Sequence, residues 1–350
     1  MPNLPYFYRT RAAIGMGGAA TCVGAPSAGL LAAPAVRVPT WPALVNAQLQ
    51  LGIFPAGWVV QEMGWRINSL RVASTPLGAA GAMAPSPVLD QVDPTERGQL
   101  AYHLGTAAGL EAALSLLAPG AGAFYFPFHL TRAQQNGATF NFATAQRPDL
   151  VIFSLVLPPV GVAAPPALSH FVVWECKGHA NNVGVAPLAP ALNQSLSLTH
   201  LTALPGAAPI PAAVVPAAQV ASQIDRGGAA LPFRLQTADP SAEGEWGAEL
   251  TPEAANCFLR AFYAPYLEAW ENGIAPEIRP YDGRKFNTVM VSADTRVGID
   301  AEIFALLNEY SRDDLYQQIG SILKAGFRTD RDEEWISTTG ICAELVWRKG

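Results

Sequence analysis

Over residues 1 to 90 the apolar positions come in short runs, such as GWVVQEM (57–63) and INSLRVAS (67–74), set between Gly- and Pro-rich connections. Runs of this length bounded by turn residues predict strands and loops, with no strong helix. The period changes at Asp93. Asp93-Pro94-Thr95-Glu96 supplies a capping side chain, a proline for the first helical position and an acid in the first turn, and predicts a helix to about Leu117. At about 100° per residue, Leu100, Leu104, Ala107, Ala108 and Leu114 share one apolar face of it. Glu111 falls in the middle of that face, where a carboxylate is costly unless it is paired, protonated or bound to a metal.

Residues 123–132 (AFYFPFHLTR) read as a strand, with Pro127 pointing to an edge position or a bulge. Two more strands are predicted in RPDLVIFSLVL (147–157) and HFVVWECKG (170–178), separated by a Pro/Ala-rich stretch too long for a tight hairpin. Residues 188–203 read as a helix carrying Gln194 and His200, and residues 213–236 as two strands around Arg226-Gly227-Gly228. Thr251-Pro252-Glu253 opens a helix towards Gly273 with a bend expected at Pro265. FNTVMVSA (286–293) reads as a strand, helices are expected after Asp300 and from Ser311-Arg312-Asp313-Asp314 to near Gly326, and GICAELVW (340–347) closes the chain as a strand.

Half of the 350 residues are hydrophobic and only 14% are charged, which excludes a mainly disordered chain. Apolar runs break before the roughly 18 residues a membrane span needs, and the first 20 residues lack an apolar core followed by a cleavage site; no membrane partner and a cytoplasmic location are expected. Cys22, Cys176, Cys257 and Cys342 have no paired spacing, so reduced, buried thiols are expected. His103, His129, His170 and His200 are too dispersed for a zinc site. A net charge of −6 provides no global basic field, and Arg11, Arg37, Arg66 and Arg71 read as solvated arginines rather than a polyanion surface.

The chemistry concentrates in residues 147–177. Asp149 begins the first strand of the pair, and Glu175 and Lys177 end the second, sharing one face while Trp174 and Cys176 take the other. Two carboxylates and an ammonium at a sheet rim are an arrangement for a metal more than for a core. The chain has 16 glutamates and four lysines, so an E-x-K triplet is expected by composition about 0.2 times. The plainer reading is a same-face salt bridge at a strand end.

With Pro148-Asp149, Glu175-Cys176-Lys177 and the inward Glu111 of the preceding helix, the order helix, strand, strand, strand, helix, strand from residue 93 to about 236 resembles the PD-(D/E)xK, or restriction-endonuclease-like, nuclease superfamily. The resemblance implies an α/β fold with a mixed sheet flanked by helices and a nuclease core over 91–236; it does not account for the flanks, which the pattern along the chain reads as an N-terminal strand- and loop-rich region over 1–90 and a mostly helical region over 237–350 packed on the core. It implies Asp149 and Glu175 as ligands of Mg2+, with Mn2+ as a substitute, the backbone carbonyl of Cys176 as a third ligand, Lys177 as the residue that positions the attacking water, and Glu111 as completion of the acidic shell. It further implies an endonuclease acting on DNA rather than RNA, in a restriction or anti-phage defence setting, as a homo-oligomer or a subunit of a defence complex. The competing expectation is a non-catalytic binding or assembly subunit that keeps the fold. Gln194, His179 and Arg147 are weaker candidates beside this site.

Overall fold

The computed structural model describes residues 3–9, 13, 15, 35–37, 41–52, 57–73, 85–116, 123–145, 147–158, 164, 166–181, 183–202, 210–211, 219–226, 233–238, 248–309, 314–324, 326, 329–330 and 334–346. Strands β1 (Asn3–Arg9) and β2 (Ala35–Arg37) are followed by helices α1 (Trp41–Leu51) and α2 (Val59–Ala73), where the short apolar runs predicted strands. The N-terminal region is therefore not simply strand- and loop-rich. Val59, Met63, Ile67 and Leu70 are buried at intervals of four, four and three, which is one face of a helix. Gly64, Trp65 and Arg66 only divide that stripe into two apparent runs.

Helix α3 (Pro94–Leu116) has the expected bounds, and Asp93 Oδ1 accepts from the Thr95 amide at 2.8 Å at its start. Then come β3 (Ala123–His129), α4 (Leu130–Gln135), β4 (Thr139–Phe142), β5 (Leu150–Val156), β6 (Ala167–Gly178), α5 (Leu188–Leu196), β7 (Leu198–Thr202), β8 (Ile210–Pro211), β9 (Gln219–Arg226), β10 (Phe233–Ala238) and β11 (Ala248–Glu249). Helix α5 stops short of the expected 203. The Ser197 hydroxyl donates to the Gln194 carbonyl at 2.7 Å, and Leu198 and Leu201 turn into the core, which puts His200 on a strand.

One sheet runs β2-β1-β10-β9-β6-β5-β3, with β11 against β6. Strands β3, β5 and β6 form an antiparallel meander, and β6 pairs parallel with β9 across the connection that holds α5. Pro127 lies on β3, the terminal strand, where the missing amide is tolerated. A small sheet, β4-β7-β8, stands apart. The fold is α/β with the predicted helix, strand, strand, strand, helix, strand order, into which α4, β4, β7 and β8 are inserted.

The C-terminal third departs from the mostly helical expectation. After α6 (Pro252–Asn272) it forms β12 (Ile274–Tyr281), β13 (Arg284–Met290), β14 (Thr295–Asp300), α7 (Ala301–Asn308), α8 (Leu315–Leu323), β15 (Thr329–Asp330), β16 (Glu334–Ile336) and β17 (Ile341–Leu345). Six of these are strands of one antiparallel sheet ordered β12-β13-β14-β17-β16-β15. The Thr251 side chain caps α6 as expected, and Pro265 lies buried inside the helix.

Both faces of β5 and the end of β6 are covered, which is why these strands read as nearly continuous apolar runs. Leu150, Ile152, Trp174 and Cys176 pack with Leu44 of α1 and Leu100, Leu104 and Ala108 of α3. On the other face, Val151, Phe153 and Val173 join Phe126, the α6 side chains Phe258 and Phe262, and Phe286, Val297 and Ile341 of the second sheet. Phe126 stacks on Phe153 at 4.8 Å and meets Phe262 edge-on at 5.1 Å. Each such buried ring contributes roughly 1.5–3 kcal/mol, so the C-terminal part is joined to the core by shared apolar packing. Cys176, Cys257 and Cys342 are buried as expected; Cys22 lies outside the described residues.

Candidate active site

Antiparallel pairing of Leu150 with Trp174 and Val151 with Val173 brings the residue before β5, Asp149, beside the end of β6. The Asp149 amide donates to Glu175 Oε2 at 3.0 Å, and the Cys176 amide donates to Asp149 Oδ2 at 3.0 Å. Lys177 Nζ pairs with Glu175 Oε1 and also donates to Gln194 Oε1 at 3.3 Å. Gln194 in turn donates through Nε2 to the Arg147 carbonyl. Asp149, Glu175 and Lys177 thus come together as strand alternation predicts, and Gln194 of α5 closes the group into a chain that returns to the Arg147-Pro148-Asp149 entry.

The Glu175 side chain is 1% exposed, while that of Lys177 is 33% exposed, so the ammonium stands between a buried acid and solvent. Burial pushes the Glu175 carboxyl up to about 8, and the neighbouring Asp149 pushes in the same direction, against the opposing pull of Lys177. The Asp149 carboxyl is also raised, by burial first, with the Cys176 amide, Lys177 and a hydrogen bond from Glu175 opposing. With one ammonium facing two buried carboxyls, both acids are pushed towards their neutral, protonated forms.

Helix α3 reaches this rim through two glycines. A Cβ on Gly178 would lie 1.7 Å from the Ala101 carbonyl oxygen, and one on Gly105 would lie 2.4 Å from Gly178 Cα. This close approach sets Tyr102 beside the site: its phenol is raised to about 12 by burial and then by the charge of Asp149. Tyr102 escaped the sequence reading because its position depends on a helix docking 73 residues away in sequence. Glu111 lies on the same helix, six residues or about 9 Å beyond Gly105, and its side chain is outside the described residues.

The other weak candidates divide. Arg147 is exposed with its guanidinium over the Phe142 ring at 5.8 Å. His129, expected to be structural, caps α4 by accepting from the Thr131 amide at 3.2 Å. His200 is exposed on β7, where it pairs in register with Asn141 of β4. Among the described residues no group of three or more His, Cys, Asp and Glu side chains is arranged to hold a metal ion, and no helix is long and apolar enough to cross a membrane.

A divalent cation nevertheless fits the donor set. Magnesium keeps several waters and needs only one or two carboxylates from the protein, and Asp149 and Glu175 are hard oxygen donors whose raised carboxyls would give up their protons to a cation bound there. No protein-family model, curated protein or solved structure matches the chain.

Proposed function

We propose that the chain is a metal-dependent phosphodiesterase, a nuclease of restriction-endonuclease-like architecture, with DNA favoured over RNA. The observation that carries this reading is the reciprocal bonding of Asp149 and Glu175 across β5 and β6 with Lys177 on the same face. Asp149 and Glu175 would hold Mg2+, or Mn2+ in its place, with the Cys176 carbonyl as a further oxygen donor and Glu111 as an outer acid. Held there, the ion would supply charge neutralisation at the phosphate and a lowered pKa for a bound water.

The chain's own groups perform the remaining work. In hydrolysis, water oxygen adds to phosphorus, the bridging P–O bond breaks, and the leaving oxygen takes up a proton. Lys177, partly exposed and fixed between Glu175 and Gln194, orients the incoming water and offsets negative charge on the phosphate. An ammonium suits this place because it is a compact charge with rotatable donors. Cutting both strands of a duplex takes two such sites, which favours a homo-oligomer or a place in a larger defence assembly.

The test is incubation of the chain with plasmid, linear DNA and RNA in magnesium, manganese or EDTA, beside Asp149→Ala and Lys177→Ala. Cleavage that needs the metal and falls at least about 100-fold in both variants supports the assignment. Cleavage that survives both substitutions removes these residues from the chemistry. Absence of cleavage throughout favours the second reading, a binding or assembly subunit, in which the Lys177–Glu175 pair is only a strand-end salt bridge.

A further inference from the structure

Trp65 on α2 is 47% exposed and Tyr102 on α3 is 45% exposed, although large rings are ordinarily well buried. Between them stands the buried His103, whose ring meets Trp65 edge-on at 4.7 Å and Tyr102 at 5.6 Å. The three rings are therefore continuous, with His103 as the wedge that fixes the outer two. Trp58, immediately before α2 and 57% exposed, precedes Trp65 by seven residues.

A cation lies beside the rings. Arg66, adjacent to Trp65, has a mostly buried side chain held by Gln48 Oε1 at 3.5 Å and by Glu62 at 3.9 Å. Its charge is felt by Tyr102, by His103 and by His129 at the end of β3. The next residue after His129, Leu130, donates its amide to the Asp149 carbonyl at 3.0 Å. Tyr102, set at the rim by the Gly105–Gly178 contact and close enough to feel the charge of Asp149, forms the end of the ring strip nearest the carboxylate pair.

We propose that Trp65, Tyr102 and Arg66 form a binding strip for an unpaired nucleic-acid strand, with bases stacked on the two exposed rings and a backbone phosphate at the guanidinium, delivering the strand to Asp149 and Glu175. This rests on the phosphodiesterase reading. Unpaired rather than duplex nucleic acid is the occupant because a base presents its flat face to a protein ring only when it is out of a stacked helix. The guanidinium complements the phosphate, whose charge competes with the distant Glu62 contact. Ring stacking is indifferent to the sugar, so DNA and RNA strands are separate arms of the test.

The experiment uses the full chain carrying Asp149→Ala, in EDTA, titrated with labelled oligo(dT), oligo(rU) and a duplex of equal length, read by anisotropy and by tryptophan quenching. Unpaired strands bind more tightly than the duplex, and Trp65→Ala and Tyr102→Ala each weaken that binding by about 5- to 100-fold. Arg66→Ala lowers the salt dependence by about one phosphate contact. Trp65→Phe retains most of the affinity, and Trp65→Leu, which keeps apolar bulk without a stacking face, replaces the alanine variant if that fails to fold. Equal binding of duplex and single strands, no binding of any strand, or binding untouched by the Trp65 and Tyr102 variants overturns the strip. Cleavage by the unsubstituted chain is scored separately: strand binding without metal-dependent cleavage removes the phosphodiesterase alone, and cleavage with unaltered binding in the ring variants removes the strip alone.

Discussion

Asp149 gives its amide hydrogen to Glu175 Oε2 at 3.0 Å, while its own carboxylate Oδ2 is held at the same distance by the amide that follows Glu175. Each acid is therefore held by a backbone amide beside the other, with Lys177 adding a side-chain contact to Glu175 alone. A pair built in this way is costly in the ionised state and useful only if something positive shares it.

The first consequence is a pH-dependent stability. The folded-state Glu175 carboxyl stands at about 8, above its ordinary value of 4.5, so the folded chain holds this proton more tightly than the unfolded chain. The associated stability is fully present below pH 4.5 and is lost as the pH rises to about 8. Thermal melts of the metal-free chain should show Tm falling over that window, and Glu175→Gln, which is neutral throughout, should flatten the fall. A divalent cation should raise Tm at pH 8 and have little effect at pH 5. A Tm profile that keeps its slope in Glu175→Gln would place the titrating group elsewhere.

A second prediction concerns the contact that sets α3 on the rim. Gly178 follows Lys177 directly, and any Cβ there runs into backbone, the Ala101 carbonyl, which cannot rotate away. Gly178→Ala should cost roughly 1–3 kcal/mol or more by overpacking, seen as a lower denaturation midpoint with an unchanged m-value. The displacement should also move Lys177, so any cleavage should fall even at temperatures where the variant remains folded. Gly98→Ala, on the same helix with open space around the added carbon, is the control expected to leave both properties intact.

These two cases mark where the sequence was legible. Asp149, Glu175 and Lys177 could be grouped from sequence because strand alternation is local and consecutive strands pair as a meander. Helices α1 and α2 were hidden by polar residues whose partners lie far along the chain. Asn46, Gln48 and Gln50 are buried in α1, with Asn46 meeting the Tyr266 hydroxyl and Gln48 Nε2 donating to the His103 carbonyl at 2.8 Å. The C-terminal sheet was masked in the same manner. Glu277, Arg279, Arg296 and Glu344 break the apolar alternation, yet they join β12, β14 and β17 as ion pairs. Tyr102 required the docking of Gly105 on Gly178, a relation that no local pattern encodes.

The last prediction separates a positioning residue from a bystander on α5. Gln194 accepts from Lys177 Nζ through Oε1 and donates to the Arg147 carbonyl through Nε2, so one amide ties the ammonium to the loop that enters Asp149. Gln194→Ala removes both ties and should cut cleavage by about 10- to 100-fold, with a stability change of no more than about 1.5 kcal/mol. Gln194→Glu keeps an acceptor for Lys177 and loses the donor to Arg147, and it adds a negative charge beside two carboxyls that are already raised. Its cleavage should therefore begin at higher pH than that of the parent chain, a shift that a purely structural glutamine would not produce. Parental rates in Gln194→Ala, or an unmoved pH profile in Gln194→Glu, would reduce Gln194 to a surface residue of the helix.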